Sequence, residues 1–138
     1  MKKKIAILGS TGSIGKTLIE IIKKDNKNFD VILLTAYKNY KEIFNQAKIL
    51  NVKNLIITDE KSFQKLKKKK LGNINVFNNY DSFNNIFKKK IDYVMSSISG
   101  IHGLEPTIEI IKHTKKIAIA NKESIICGWH LIKKDLKK

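Results

Sequence analysis

Short apolar runs alternate with amphipathic stretches along the chain. The clearest apolar runs are residues 5–8 (IAIL), 31–36 (VILLTA) and 55–57 (LII), and each is followed by a segment whose apolar positions recur every three or four residues. This alternation is typical of βα units arranged around a parallel sheet. The sequence therefore predicts an α/β fold, with a Rossmann-like, doubly wound, mostly parallel sheet in a single domain.

The predicted elements follow one another without a linker or an internal repeat. We place strands at residues 4–8, 30–36, 54–58, 73–77, 93–95 (running on to 100) and 116–120, and helices at 14–24, 41–50, 60–70 and 82–87. A further helix has Pro106 in its first turn and ends near His113. Asp59 and Asp81 are predicted helix N-caps, and residues 121–123 lead into a short element before a polar tail. An exposed apolar patch is expected from Phe83, Ile86, Phe87 and Trp129.

Three evenly spaced glycines separate the first predicted strand from its helix. Gly9, Gly12 and Gly15 form a G-x-x-G-x-x-G pattern directly after the apolar run. Glycine allows backbone angles and close approaches that a β-carbon would block. The free N–H groups of a first helical turn, with the positive end of the helix dipole, favour an anion. The pattern predicts a phosphate-binding loop, and the alternative is a tight strand–helix turn without a ligand.

Polar clusters follow the other predicted strands as well. Residues 37–39 (YKN) come after the second strand, Ser97, Ser99 and Gly100 after the fifth, and residues 121–123 (NKE) after the sixth. Ligands of open parallel sheets bind beyond the carboxyl ends of the strands. These clusters and the glycine loop are therefore expected to form one binding face.

Two lysines on that face carry candidate chemistry. The end of the second strand holds Lys38 and no acid, and a cation there suits the 2′-phosphate of NADP rather than the ribose hydroxyls of NAD. Lys122 is placed to bind a substrate oxygen, with Glu123 holding a hydroxyl or orienting the lysine. The alternatives are a plain surface lysine at position 38 and a local Lys–Glu pair at 122–123.

Composition narrows the choice of partners. All 28 basic residues are lysine, and the net charge is +16. Such a surface attracts nucleic acid non-specifically. Proteins dedicated to nucleic-acid recognition, however, use arginine and interleaved aromatic residues. The lysine run at 67–70 is therefore interpreted as a solvated helix end. No apolar run approaches the roughly 18–20 residues of a membrane span. With neither a membrane segment nor a signal peptide, a cytoplasmic location is expected. Cys127 is expected to be semi-buried and unreactive.

Three motifs together resemble a known enzyme family. The stretches GSTGSIG at 9–15, GLEPT at 103–107 and AIANKES at 118–124 resemble 1-deoxy-D-xylulose 5-phosphate reductoisomerase. The resemblance runs along the whole chain in order. It implies a homodimeric enzyme of the non-mevalonate isoprenoid pathway that rearranges its sugar-phosphate substrate and reduces the product with NADPH. It also implies a Mg²⁺ or Mn²⁺ ion as a Lewis acid.

The family motifs also imply roles for individual residues. Lys122 matches the lysine that contacts the sugar phosphate. The positions that match NADPH contacts are Thr11, Gly12, Ser13, Ile14, Tyr37, Lys38, Asn39, Asn121 and Glu123.

The sequence departs from the family pattern in three respects, one of which is a bulkier and more polar loop at residues 97–103. Tyr37 stands where the family usually has glycine, and no residues match the metal-binding acids, so no metal site is assigned. From this the 138-residue chain is expected to bind NADPH without turning over substrate. The alternatives are a non-catalytic nucleotide- or phosphate-binding module and a basic interaction protein.

Overall fold

A computed structural model describes residues 1–136 as a parallel sheet with helices on both faces. The six strands pair in parallel in the order β4-β3-β2-β1-β5-β6, which confirms the predicted fold class. Their bounds are Lys3–Leu8 (β1), Phe29–Ala36 (β2), Asn54–Ile57 (β3), Asn75–Phe77 (β4), Tyr93–Ser96 (β5) and Ile117–Ile119 (β6).

Helices connect consecutive strands, and one further helix follows the last strand. Their bounds are Ser13–Lys24 (α1), Tyr40–Leu50 (α2), Glu60–Lys67 (α3), Phe83–Ile86 (α4), Leu104–Ile111 (α5) and Lys122–Leu136 (α6), with 3₁₀ turns at Tyr80–Ser82 and Ile101–Gly103. Within residues 1–136, no helix has the length and apolar character that crossing a membrane requires.

The period-two alternation of strand side chains divides the core into two layers. Ile5 and Ile7 of β1 pack with α1, α2 and α3 on one face of the sheet. Ala6 and Leu8 pack with the α4–α5 side on the other face. Because residues 5–8 of β1 are buried on both faces of the sheet, their sequence is continuously apolar, as is typical of central strands in parallel sheets.

The end of one helix and the N-cap of another were predicted wrongly. Helix α3 ends at Lys67 rather than at residue 70. Leu66 is its last buried side chain, and the lysines that follow it, residues 67–70, are exposed. Asp81 is not an N-cap, because it lies inside the 3₁₀ turn. Asp59 is the N-cap of α3 as predicted, and its carboxylate accepts a hydrogen bond from Ser62 N–H at 2.9 Å.

The segment after β6 was also misjudged. The predicted short element is a 15-residue helix, α6. Its buried positions are spaced four residues apart, at Ser124, Gly128 and Ile132. Two of these are a serine and a glycine, so the buried face carries little of the apolar periodicity that identifies an amphipathic helix. This face is buried because α6 packs against α5, and the sequence alone does not show that these two helices meet.

The expected apolar patch is largely absent. Phe83 and Phe87 are 1% and 6% exposed: Phe83 begins the short helix α4, Phe87 follows its end, and their ring centres lie 5.9 Å apart. Ile86 is half-buried, and only Trp129 is exposed as predicted. Cys127 was expected to be semi-buried, but it lies on the exposed side of α6.

Candidate functional site

The order of the strands creates a crevice beside β1. The chain runs from β1 through β2 and β3 to β4 on one side, and then crosses to β5 and β6 on the other. The loops that leave β1 and β5 therefore diverge to opposite sides at the carboxyl edge of the sheet. Such a switch point is where doubly wound folds bind their ligands.

The glycine loop lies at this switch point and depends on two of its glycines. Gly9 has φ +79°, and a β-carbon there would lie 3.0 Å from the backbone of Ser97 and Ile98. A β-carbon on Gly15 would come within 2.6 Å of the Ser10 Cα, because the first turn of α1 packs directly on the loop. The glycines thus hold the helix close to the end of β1.

The same loop presents unpaired backbone donors. Ser10 N–H donates to Thr35 O at 2.9 Å, and Gly12 N–H donates to Gly9 O at 3.2 Å. The N–H groups of Thr11, Ser13 and Ile14 have no acceptor among residues 1–136. Ser13 and Ile14 are exposed at the start of α1, where the dipole is positive. Unpaired donors at a helix N-terminus form an anion site.

Three side chains hold the loop in place, and two of them, Thr35 and Gln46, were not predicted. Thr35 Oγ1 accepts from Gly9 N–H at 3.0 Å, and Ser97 Oγ donates to Leu8 O at 2.8 Å. Gln46 Nε2 reaches from α2 and donates to Ser10 O at 3.0 Å. A weak sequence signal existed for Gln46, since it lies between Ile43 and Ala47 on the apolar side of α2. A buried polar residue in such a position requires a hydrogen-bond partner.

Replacing Gln46 by methionine is expected to destabilise the fold by about 1–3 kcal/mol, because the buried carbonyl of Ser10 loses its side-chain donor. Gln46 is 2% exposed, so water does not replace the missing donor. Urea unfolding measures the loss. The matched control is Gln64→Met on α3, where the amide is exposed and donates only to Glu60 at 2.7 Å. Equal stability losses in the two variants would contradict the assigned role of Gln46.

A cavity of about 270 Å³ opens between the loops after β5 and β6. It brings Ile14 of α1 together with three residues that follow β6, namely Asn121, Lys122 and Glu123. Lys122 is exposed and Glu123 is half-buried at the start of α6. In the described part of the chain these two make no ion pair, so the alternative of a local Lys–Glu pair does not hold. Both side chains are available to a ligand.

Asn121 organises the wall of this cavity. Its amide nitrogen donates to the carbonyls of Ile98 and Gly100 in the loop after β5. Its amide oxygen accepts from Ser124 N–H at 2.9 Å and caps α6. The side chain is 5% exposed and its hydrogen bonds are internal. Asn121 therefore fixes the position of Lys122 and Glu123 relative to the β5 loop.

The three residues after β2 lie on the other flank of the glycine loop and do not line the cavity. Tyr37 is 62% exposed, and the Lys38 ammonium lies 5.0 Å from the centre of its ring. Asn39 caps α2, since its Oδ1 accepts from Glu42 N–H at 3.2 Å. Asp59 is nearby: hydrogen bonds from Ser62 lower the pKa of its carboxyl, and the charge of Lys38 lowers it further.

The site residues predicted from the sequence thus lie along one edge of the sheet in two groups flanking the glycine loop. Within residues 1–136, no group of three or more His, Cys, Asp or Glu side chains is arranged to bind a metal ion. The exposed donors of the loop fit a phosphate group, whereas the described residues do not form a metal centre.

Comparison with known proteins agrees with the family resemblance of the sequence motifs. The family model for 1-deoxy-D-xylulose 5-phosphate reductoisomerase matches residues 5–128. The reductoisomerase of Pelagibacter ubique is 63% identical over 99% of this chain, and that of Wolbachia from Culex pipiens is 41% identical. The reductoisomerase from Zymomonas mobilis, solved in complex with NADPH, superimposes with a TM-score of 0.89 at 30% identity and covers 99% of this chain.

The match covers only part of these relatives. The chain spans 36% of the Pelagibacter protein, 35% of the Wolbachia protein and 36% of the Zymomonas chain.

Proposed function

Because the chain belongs to the 1-deoxy-D-xylulose 5-phosphate reductoisomerase family, we propose that residues 1–136 form the portion that binds NADPH. The observation that carries the proposal is the exposed set of N–H donors at the start of α1. Those of Thr11, Ser13 and Ile14 would hold the pyrophosphate, and Gly12 leaves room for it at the N-cap. The NADPH complex of the Zymomonas relative supports the choice of nucleotide.

The two flanks of the loop would hold the two halves of the nucleotide. Tyr37, Lys38 and Asn39 lie where the adenosine ribose binds in doubly wound folds, at the end of the second strand. The cavity beside Asn121 and Glu123 would then take the nicotinamide half. When bound, NADPH supplies the hydride for the reduction.

Lys122 would bind the sugar-phosphate substrate at the cavity mouth. Its ammonium is exposed and makes no ion pair within the described residues, so it is free to meet an anionic oxygen. Asn121 fixes the backbone from which Lys122 extends. We infer that the complete reaction, rearrangement of 1-deoxy-D-xylulose 5-phosphate and reduction to 2-C-methyl-D-erythritol 4-phosphate, also needs the part of the relatives that this chain does not match. The metal ion and the homodimer stay predictions for that longer enzyme.

Calorimetric titration of the 138-residue chain with NADPH and NADH tests this function. We expect NADPH to bind more tightly than NADH. Equal binding of the two would indicate a different phosphate ligand, and no binding of either would overturn the proposal. Formation of methylerythritol phosphate by the chain alone, with Mg²⁺ and NADPH, would contradict the inference that the remaining part is needed.

Replacing Lys38 by glutamine is expected to weaken NADPH binding about tenfold or more and to leave NADH binding unchanged. A hydrogen bond to a charged group contributes about 1.5–3 kcal/mol, and only NADPH has the 2′-phosphate that would accept it. The measurement is the ratio of the two dissociation constants. Lys48→Gln, at the far end of α2, is the control and should leave the ratio unaltered. An equal loss of affinity for both nucleotides would show that Lys38 does not bind the 2′-phosphate.

A further inference from the structure

A second cavity lies at the amino edge of the sheet, opposite the glycine loop. Its volume is about 660 Å³. It is bounded by the N-terminal residues, by the segment before β5 and by Lys115 before β6. All strands of a parallel sheet begin at one edge and end at the other, so this cavity is separate from the candidate nucleotide site. The cations that line it are Lys2, Lys4, Lys88, Lys89, Lys90 and Lys115.

The positive charge of this lysine cavity is largely unneutralised. Asp92 is the one acid among its lining residues. Its carboxylate is already used, because it accepts from Lys115 Nζ at 2.8 Å and from Lys4 N–H at 2.9 Å. The other five lysines have no carboxylate within ion-pair distance in the part of the chain that is described. Clustered charge of one sign in a concave surface concentrates ions of the opposite sign.

Lysine richness alone does not produce this arrangement. The run at 67–70 holds four lysines, but they line neither of the two cavities described above. Two of them lie over aromatic rings instead: Lys67 over Phe63 at 5.3 Å, and Lys69 over Phe44 at 5.7 Å. The lysines of the cavity make no such ring contact within residues 1–136.

The remaining lining residues indicate the kind of anion. Half-buried Ile32 and Ile86 provide apolar surface between the cations. The backbone N–H groups of residues 88–90 have no acceptor in the described chain and add further donors. Lysine ammonium groups bind phosphate as point charges. The one aromatic lining residue, Phe87, is 6% exposed, so no ring is presented for the base stacking that single-stranded nucleic acid requires.

We propose that the lysine cavity is a binding site for a small organic anion that carries two or more phosphate groups. Its volume lies within the range of about 300–1,000 Å³ typical of small-molecule sites. Lysines from both sides of the cavity would contact the phosphates, and the isoleucines would contact the organic part. This site is independent of nucleotide binding at the opposite edge of the sheet.

Calorimetric titration with inorganic triphosphate, at an ionic strength of ~0.15 M, tests the proposal. The test variant carries Lys88→Gln, Lys89→Gln and Lys90→Gln together. The control carries Lys67→Gln, Lys68→Gln and Lys69→Gln, which removes the same net charge from residues that do not line the lysine cavity. We expect affinity to fall at least about tenfold in the test variant and to stay within about twofold in the control. Equal losses would overturn the proposal, since they would mean non-specific attraction.

Amide NMR shifts of the unaltered chain locate the bound triphosphate without relying on a variant. Shifts are expected at residues 88–91, with or without a saturating nucleotide at the glycine loop. Shifts confined to residues 11–14 would overturn the proposal, as would an absence of binding. Tighter binding of a single-stranded oligonucleotide than of triphosphate, lost in the same variant, would instead identify the cavity as a nucleic-acid surface.

Discussion

Replacing Gly15 by alanine is expected to abolish nucleotide binding and to destabilise the fold by about 1–3 kcal/mol or more. The added β-carbon would lie within 2.6 Å of the Ser10 Cα and within 2.8 Å of the Ser10 carbonyl carbon. Both contacts are to backbone atoms, which have no flexible end to move aside. Relief of the clash requires α1 to shift away from the loop, which would misplace the N–H groups that face the crevice.

The direction of the stability change distinguishes the packing clash from the effect of helix propensity. Inside a helix, alanine is favoured over glycine by about 1 kcal/mol, so propensity alone would make the variant more stable. Urea unfolding and NADPH titration together measure the outcome. Gly12→Ala is the control in the same loop, since its β-carbon would lie 3.5 Å from Gly9 O, an ordinary contact. Because Gly12 is the N-cap of α1, we expect Gly12→Ala to cost about 1 kcal/mol or less, well below the loss in Gly15→Ala. A Gly15→Ala protein that binds NADPH as tightly as the original would disprove the assigned packing.

Replacing Asn121 by aspartate is expected to lower the free energy of unfolding by about 2–5 kcal/mol at pH 7. The two side chains have nearly the same shape, and aspartate is equally good as an N-cap. The amide nitrogen, however, donates to the carbonyls of Ile98 and Gly100. A carboxylate would set a charged acceptor against two further acceptors at a site that is 5% exposed. Burial of an unpaired charge is among the most destabilising single changes.

The pH dependence of this variant distinguishes charge from shape. Burial and the two carbonyls would raise the pKa of the introduced carboxyl above its unfolded value of about 3.9. The destabilisation should therefore be smallest at about pH 3 and below, where the group is mostly protonated in both states, and should grow as pH rises towards 7. Asn39→Asp is the matched control, because Asn39 also caps a helix but is exposed. Its stability should change little at either pH. A pH-independent loss at position 121 would rule out the charge explanation.

Much of the fold could be read from local sequence. The run at residues 5–8, the glycines at 9–15 and the amphipathic segment after them form a strand, a turn and a helix whose patterns are all local. Asp59 could likewise be identified as a cap, because an N-cap acts within three residues. The boundary of α3 could not be identified, since a lysine run continues a helical pattern equally well whether or not it packs.

The site was only partly predictable for the same reason. The residues on the site edge follow from strand order and the rule that loops after parallel strands share an edge. The roles of Gln46 and Asn121 depend on partners 36 and 23 positions away, at Ser10 and Ile98. No periodicity encodes such distances. The sequence therefore placed Asn121 at the site edge without showing that it holds the loop after β5.

The sequence by itself determined the parallel α/β architecture and the glycine loop at its first turn, because alternation and glycine spacing act over a few residues. Only the tertiary structure decided that Phe83 and Phe87 are buried, that α6 is a long helix against α5, and that lysines from three separate segments line one cavity. Burial and charge clustering depend on which distant segments meet, and chain folding alone brings those segments together.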